Sequence, residues 1–432
     1  MQIRKRIIKV VVLALALPAG AWAQSSSINA FSPYTCYGLG DMSTPGTAYL
    51  RSMGGIGVAF RNQVMINYMN PASYSAVQPK SFLFNFGMEG QNFYLKTGES
   101  KNSYNTFNVR DVGIAFPIAR RLGFGLSVTP LSNVGYRMEE TVTDPDILAT
   151  VGQVKYKYSG EGGLTQFKAG VGMEIAKGLS VGAEMIYYLG SIDRYIDQYI
   201  TPITSSGSYS NMNASTKESV SRIFGNFGIQ YDVLATEKRM LTLGVTYQLG
   251  GELRSDITKY VPSGDMYADT VSLVTSKSDF TLPSNLTVGL FYQTAKIGVG
   301  FDYSYQNWAG KNKADEVNGV KFVDTHSIKV GGQYTPDWGD IRHFYRRLTY
   351  RAGFRYSTYY MQLKGQNISD KAVTVGVGIP INMKRLSNIN VGAEYGVRGN
   401  TRRGMIRENY FKFSIGLSLF GEDFWFVKPK YD

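Results

Sequence analysis

The 432-residue chain is basic and rich in glycine and aromatic residues: its formal net charge is +13, with 48 glycines, 13% aromatic residues and one cysteine. The single thiol, Cys36, excludes an internal disulfide, and the lysines and arginines form no patch or basic helix of the kind that binds nucleic acid. After residue 23, no apolar run reaches the length of about 18 residues that a membrane-spanning helix needs.

Residues 1–23 have the pattern of a secretory signal peptide. Four basic residues open the segment, an apolar core covers residues 10–17, and residues 21–23 (Ala-Trp-Ala) form a small-x-small cleavage site. The core is too short for an anchor helix, because the hydrocarbon layer of a bilayer is about 30 Å thick. We therefore expect cleavage near Ala23 and a mature chain that starts at Gln24.

Residues 24–80 differ in composition from the rest of the chain, because glycines and prolines interrupt any long strand. These breaks are Gly38, Gly40, Pro45, Gly46, Gly54, Gly55, Gly57, Pro71 and Pro79. Asn70-Pro71-Ala72 predicts a short helix over Pro71–Val77, with Asn70 as its N-cap and Pro71 at the first helical position. We interpret residues 24–80 as a compact plug, or hatch.

Residues 81–432 show the alternation typical of transmembrane β-strands, most clearly in the hairpin from Leu286 to Trp308. Apolar side chains alternate there with glycine and polar residues, Phe291 being the inward exception, and aromatic residues cluster at one end. An apolar face toward lipid and a polar face toward the lumen are the pattern of an outer-membrane β-barrel. The predicted class is all-β: an antiparallel barrel with residues 24–80 inside its lumen.

Short turns alternate with long polar segments, and their number predicts the strand count. Six turns, including the longer one at Pro336–Arg346, and seven loops separate about fourteen strands, with the short turns on the periplasmic side. The predicted loops include Glu139–Gly163, Tyr195–Lys217 and Lys259–Leu282. Gln153–Ser159 and Thr270–Lys277 are placed in loops as strand extensions; if both crossed the bilayer, the count would be about sixteen.

Two features of the inward face have open interpretations. Repeated inward glycines, such as Gly170, Gly172 and Gly331, indicate either close approach by another backbone or curvature of the barrel. In the third strand, Leu122–Met138, Pro130 lacks the N–H that a ladder needs, and Gly135 follows it. This pair predicts either a local gap between neighbouring strands or a silent bulge.

Several charged residues are predicted to face the lumen, among them Arg351, Arg355 and Arg398. One interpretation is that these arginines pair with the carboxylate of a ligand. The other, which we favour, is ion pairing within the lumen and docking of the plug, since a buried charge must find a partner.

The glycine-rich Ser52-Met53-Gly54-Gly55 segment ahead of Asn70-Pro71-Ala72 resembles the hatch of the FadL/TodX-type outer-membrane transporters. Other stretches resemble the branch of that family found in Bacteroidetes, including residues 32–41, 160–164 and the ending at 425–428. The resemblance implies a fourteen-stranded barrel with an N-terminal hatch, whose motif residues here are Gly54, Gly55, Asn70, Pro71 and Ala72. It also implies lateral release at a kinked third strand, here at Pro130 and Gly135. The polar segment Glu139–Gly163 departs from the apolar helix pair expected in that family.

The functional hypothesis is uptake of small hydrophobic molecules, long-chain fatty acids or aromatic compounds, through a hatch-gated barrel in a Gram-negative outer membrane. The alternative is a non-transporting partner subunit of an outer-membrane assembly such as the type IX secretion system, and a general porin comes third. We expect no enzyme, because His326 and His343 lie far from any nucleophile motif. We also expect no cofactor, no metal and no nucleic acid. The expected partners are the lipid bilayer, a hydrophobic ligand and an outer-membrane protein.

Overall fold

The computed structural model describes eight stretches of the chain: residues 30–97, 101–203, 211–236, 238–262, 271–278, 280–313, 319–381 and 387–422. The predicted signal peptide, residues 1–23, the first residues of the plug, 24–29, and the ending at 425–428 lie outside them. Within the described stretches, no helix has the length and apolarity needed to cross a bilayer.

Fourteen antiparallel strands form a closed barrel, which confirms the predicted class and strand number. The first strand pairs with the last along its whole length, from Ser81 opposite Glu422 to Lys96 opposite Arg407, so the sheet has no free seam there. The barrel strands are β1 (Ser81–Lys96), β2 (Lys101–Ala119), β3 (Leu122–Thr141), β4 (Gly152–Ala176), β5 (Leu179–Pro202), β6 (Met212–Ala235), β7 (Arg239–Gln248), β8 (Asn285–Thr294), β9 (Ile297–Gln306), β10 (Thr325–Tyr334), β11 (Thr349–Leu363), β12 (Gln366–Pro380), β13 (Asn388–Arg398) and β14 (Arg407–Glu422).

Strand alternation directs apolar side chains to the outside of the barrel. Leu286, Val288 and Leu290 on β8 are exposed. On the opposite face of β8, Phe291 is buried, and its ring meets that of Phe60 edge-on at 5.2 Å. A belt of exposed aliphatic and aromatic side chains around a closed sheet is stable only in contact with lipid.

The predicted loops were too long, because several strands continue beyond the membrane. Glu139–Gly163 was predicted to be a loop, but β3 runs to Thr141 and β4 starts at Gly152, with one short helix, α1 (Pro145–Thr150), between them. Tyr195–Lys217 is likewise mostly strand, in β5 and β6. Beyond the hydrocarbon the outward face of a strand meets water instead of lipid, so the apolar alternation that marks a strand in the sequence disappears.

Short strands complete the sheet without adding a crossing. Ser255–Pro262 pairs with β6 and forms a hairpin with Val271–Ser278. The predicted segment Thr270–Lys277 therefore lies in this hairpin rather than in a membrane crossing, with Thr270 outside the described residues. Two-residue strands pair at Gly251–Glu252 and Thr281–Leu282, and Val320–Phe322 pairs with the far end of β11.

The remaining elements are short helices. In the N-terminal part they are the 3-10 helix Pro33–Cys36, α2 (Ala48–Arg51) and the 3-10 helix Pro71–Ala76. Farther along the chain lie α3 (Phe344–Arg347) and the 3-10 helix Arg402–Gly404. The helix predicted at Pro71 is present with Asn70 as its N-cap: the side-chain oxygen of Asn70 accepts the N–H of Ala72 at 3.0 Å.

Candidate functional site

Residues 30–80, here called the lumen segment, lie inside the barrel in direct main-chain contact with its wall. A Cβ added to Gly172, Gly244 or Gly331 would lie within 3.0 Å of a main-chain atom of this segment. These glycines belong to β4, β7 and β10, so the wall touches the segment from several sides. The same holds for Gly123, Gly182 and Gly353. Close approach by another backbone, the first of the two interpretations of the inward glycines, is therefore what the structure shows.

The Asn70-Pro71-Ala72 element joins the lumen segment to β4–β6. The amide nitrogen of Asn70 donates to the carbonyl of Val58 at 2.9 Å and to that of Ile229, on β6, at 3.2 Å. Pro71 and Ala72 lie against Gly172 and Gly182, where the wall has no side chains. This element is a docking joint that binds both its own segment and the barrel.

Gly54 and Gly55 form a second joint on the other side of the lumen. Their φ angles are +74° and +77°, in the left-handed region that favours glycine. The N–H of Gly54 donates to the Thr374 hydroxyl at 2.8 Å, and that hydroxyl donates to the carbonyl of Ser52 at 3.1 Å. The turn thus docks main chain to main chain against β10–β12, which a side chain at Gly54 would prevent.

The three candidate arginines all contact the lumen segment. The guanidinium of Arg351 lies 3.8 Å from the ring centre of Tyr49, and Arg355 donates to the Thr44 hydroxyl at 2.7 Å. Arg398 pairs with Asp41 at 3.0 Å. In this state the arginines dock the segment, and contact with a ligand carboxylate stays a prediction.

Acidic residues of the wall complete the arginine cluster. Arg355 pairs with Glu394 at 2.7 Å, and Arg398 lies 3.3 Å from Asp370 and 3.5 Å from Glu408. All of these carboxylates are buried. Arg355 and Arg398 each have carboxylate partners, so these two arginines hold the lumen segment without leaving their own charges isolated. The buried Arg351 contacts Tyr49 and donates to Asn390 instead.

Sequence reasoning missed a second buried charge cluster, on β1 and β2. Arg51 of α2 lies 2.9 Å from Asp111 and 3.4 Å from Glu89, and Arg110 lies 3.6 Å from Glu89. Alternation along β1 and β2 places Glu89 and Asp111 inward and was the available signal. A third contact comes from β9, where the Asp302 carboxylate accepts the N–H groups of Gly57 and Val58 at 2.7 and 3.1 Å.

β2 and β3 separate partway up the barrel. They pair only from Ala119 opposite Leu122 to Val112 opposite Val128. Above that point β2 remains paired with β1 and β3 remains paired with β4. The wall is therefore split between its second and third strands over the outer half of their length.

Residues 41–44, here called the stopper, fill this split. Asp41 and Met42 pair as a strand with Asn133 and Ser132 of β3, and the N–H of Ser43 donates to the carbonyl of Leu131 at 2.8 Å. From the other edge, Arg110 of β2 donates to the Ser43 hydroxyl and to the carbonyl of Thr44, both at 3.2 Å. The lumen segment thus supplies the missing piece of wall.

The predicted kink residues lie at this split. The register between β3 and β4 shifts between Pro130 and Ser132, two residues above the last pair that β3 makes with β2. The carbonyl of Gly135 accepts the N–H of Ser32 at 2.9 Å and the Thr35 hydroxyl at 3.1 Å. Pro130 and Gly135 therefore mark the region where β3 turns from its neighbour to the lumen segment.

Above the stopper, aromatic side chains close the lumen. Trp308, Tyr359 and Tyr360 are buried, with the rings of Trp308 and Tyr360 4.6 Å apart. The Tyr360 hydroxyl donates to the carbonyl of Gly40 at 2.7 Å, next to the stopper. These rings belong to the largest buried apolar cluster among the described residues.

Both histidines make exposed contacts. Nδ1 of His326 lies 2.8 Å from the Tyr303 hydroxyl, and Nδ1 of His343 lies 3.1 Å from Asp340. Both are exposed contacts outside the lumen. The described residues contain no group of three or more histidine, cysteine or acidic side chains that could hold a metal.

The chain shares its fold with solved structures of hydrocarbon channels. The toluene transporter TodX of Pseudomonas putida superimposes with a TM-score of 0.58 at 18% identity, covering 90% of this chain and 100% of that one. The CymD monoaromatic hydrocarbon channel gives 0.54 at 15% identity, covering 88% and 97%. A FadL homologue of Pseudomonas aeruginosa gives 0.54 at 13% identity, covering 89% and 99%. Identities this low show a shared fold only.

The family follows from the sequence match. No curated protein matches the chain. The solved structures confirm the resemblance to FadL/TodX-type proteins for the outer-membrane barrel fold. The family whose model matches the sequence carries another name. The model of the BamG family matches residues 3–432, so the chain belongs to the BamG family.

Proposed function

We propose that the protein carries small hydrophobic molecules through a Gram-negative outer membrane, with exit through the split between β2 and β3. The observation that carries this proposal is the stopper, a piece of the lumen segment that closes a gap in the barrel wall. The described channels of the same fold are named for toluene and monoaromatic hydrocarbons, which supports an apolar substrate. Long-chain fatty acids and aromatic compounds are the proposed classes.

An open split inside a membrane is costly, because unpaired backbone groups in hydrocarbon each cost several kcal/mol. The stopper removes part of that cost by pairing with β3, and its short length lets it act as a gate. The rest of the lumen segment is docked on wall glycines, so opening requires displacement of the stopper rather than of the whole segment.

The same movement would free two of the candidate arginines. Thr44 and Asp41 are the stopper residues that contact Arg355 and Arg398. When the stopper leaves, the carboxylate of a fatty acid could replace Asp41 beside Arg398 with no net change in buried charge. An aromatic hydrocarbon would pass without this exchange.

A reversible cross-link tests the gate. Met42→Cys and Ser132→Cys, which replace partners in the stopper ladder, are introduced in a Cys36→Ser background. Uptake of labelled oleate and toluene is measured in cells that lack other channels for these compounds. We expect uptake to fall at least ten-fold on oxidation and to return on reduction.

A matched pair controls for the disulfide itself. Thr287→Cys and Ser304→Cys bridge β8 and β9, which pair with each other away from the split, and should leave uptake unchanged. Equal uptake by cells with and without the protein, or uptake through the oxidised stopper pair, would exclude the proposal.

The second candidate is a partner subunit of an outer-membrane assembly such as the type IX secretion system. It is favoured by the strands that rise beyond the membrane: β4 alone has 25 residues, whereas about 9–11 cross a bilayer. Near the tips of β5 and β6, Tyr199, Ile203 and Met212 are exposed. Mass spectrometry of protein purified from its own membrane in a non-lipid-like detergent separates the two: a stoichiometric apolar molecule favours transport, and co-purifying proteins with no such molecule favour the assembly.

A further inference from the structure

The turn between β10 and β11 exposes an unusual amount of apolar surface. Trp338, Ile341, Phe344 and Tyr345 are 56%, 76%, 50% and 54% exposed within eight residues of sequence. The turn lies at the end of the barrel that carries the short turns, opposite the stopper. Water is a poor environment for these four side chains, since apolar area contributes about 25 cal/mol per Å² when it is buried.

The turn is held against the outer rim of the barrel. Tyr334 and Tyr350, at the ends of β10 and β11, are outward and exposed, as aromatic residues at a membrane boundary are. The Tyr350 hydroxyl donates to the carbonyl of Tyr345 at 2.9 Å, which ties α3 to that outward side. The N–H of Thr335 donates to the carbonyl of Lys296 at 2.8 Å, which ties the turn to the β8–β9 turn.

Asp340 fixes the internal shape of the turn. Its carboxylate accepts the N–H groups of Arg342 and His343 at 2.8 and 2.9 Å and the guanidinium of Arg346 at 3.2 Å. The apolar side chains are therefore presented by a folded turn with its own hydrogen bonds.

A polar pocket of about 170 Å³ lies beside this turn, at the mouth of the barrel. Its described lining includes the cations Lys296 and Arg347 and the hydroxyl-bearing Thr294, Thr335 and Thr349, together with Tyr49, Asn62, Val64 and Met65 of the lumen segment. No carboxylate is found among the lining residues that the structure describes. The guanidinium of Arg347 also lies 5.2 Å from the ring centre of Phe344, so one residue belongs to both the pocket and the apolar turn.

We propose that the pocket and the turn together bind an anionic phospholipid of the periplasmic leaflet. The phosphate lies between Lys296 and Arg347, and an acyl chain follows Phe344 and Ile341 into the membrane. The head group follows from the charge of the lining: the cations Lys296 and Arg347 favour a lipid with net negative charge over a zwitterionic one. The exposed apolar turn favours a lipid over free phosphate, because only a lipid has an acyl chain that can cover these side chains. The lipid proposal does not rest on the proposed transport function.

Native mass spectrometry of the full-length protein in detergent tests the site. The probes are phosphatidylglycerol and phosphatidylcholine with identical acyl chains. We expect the wild type to retain phosphatidylglycerol preferentially, and the double variant Lys296→Gln, Arg347→Gln to bind it at least ten-fold more weakly. The control pair Arg254→Gln, Lys321→Gln changes one exposed arginine and one exposed lysine at the other end of the barrel and should bind like the wild type.

A second variant separates a lipid from a free anion. Ile341→Ser with Phe344→Ser should weaken phosphatidylglycerol binding several-fold while leaving the pocket cations in place. The proposal would be overturned if the two lipids bound equally, or if inorganic phosphate at equal concentration displaced phosphatidylglycerol. It would also be overturned if the serine variant kept its lipid but lost a co-purifying periplasmic protein. Heat-dependent mobility in SDS gels verifies that every variant has folded.

Discussion

At the residue scale, glycine and buried charge do complementary work in the lumen. Inward glycines remove side chains where the lumen segment meets the wall, and arginine–carboxylate clusters lie between these contacts, as at Arg355 and Glu394. Close packing fixes the position of the segment. The charges fix its register, because a shifted register would leave a buried charge unpaired.

Replacing a docking glycine should destabilise the protein. A Cβ at Gly331 would lie within 3.0 Å of the Met53 carbonyl, with main chain on both sides of the contact. We expect Gly331→Ala to lower the free energy of unfolding by about 1–3 kcal/mol, measured by urea titration of the heat-dependent gel shift. The inward Gly113 is the control, because its Cβ would be no nearer than 3.5 Å to other atoms. Equal stability of the two variants would contradict the docking role.

The Arg110 side chain should control how firmly the stopper is held. It donates both hydrogen bonds that join β2 to Ser43 and Thr44, and hydrogen bonds from a charged group contribute about 1.5–3 kcal/mol each. We expect Arg110→Gln to speed amide hydrogen exchange at residues 41–44 at least ten-fold. Arg137→Gln, an exposed change higher on β3, should leave exchange there unchanged. Unchanged exchange in Arg110→Gln would show that pairing with β3 alone closes the split.

At the element scale, the sequence predicted the strand segments that contact lipid and missed the strand extensions that lie beyond the membrane. In the hairpin of β8 and β9 the apolar face meets lipid, so alternation located both strands. In the upper parts of β4 and β5, as where Lys155 pairs with Tyr199, polar and charged residues occur on both faces of the strands and the same signal is absent. Ion pairing in the lumen was predicted for the arginines of the barrel, but the partnership of Arg51 with Asp111 was not, because these two residues meet only through the fold.

The β10–β11 turn should keep its shape over most of the acidic range. The peptide N–H of His343, followed by the His343 side chain and the Arg342 N–H, lowers the pKa of Asp340 to about 2. A depressed carboxylate pKa contributes stability that is complete above the unfolded value, about 3.9, and is lost as the pH falls through about 2. We expect acrylamide quenching of Trp338, in a variant with its other tryptophans replaced, to stay constant from pH 7 to about 4. Asp340→Asn should already be quenched more strongly at pH 7; equal quenching would contradict this account.

At the scale of the whole molecule, the closed sheet and the lumen segment depend on each other. The barrel satisfies its backbone through the β1–β14 seam, yet it encloses Glu89, Asp111 and Asp302, whose partners include the segment. The glycines at the joints would face a void without it. The pairing between stopper and wall therefore makes the stopper part of the barrel sheet.

Removal of residues 30–80 should accordingly convert a closed barrel into a conducting pore. The deletion empties the lumen of main chain at β4, β7 and β10, while all fourteen strands keep their ladder. In planar bilayers we expect steady ionic current from the deleted protein, far above that of the intact chain, after its heat-dependent gel shift has shown a folded barrel. Deletion of the hairpin residues 256–277 is the control, since this hairpin is built on the extension of β6 and not on the segment. A folded barrel that stays closed without residues 30–80 would mean that the aromatic residues around Trp308 and Tyr360 seal the lumen by themselves.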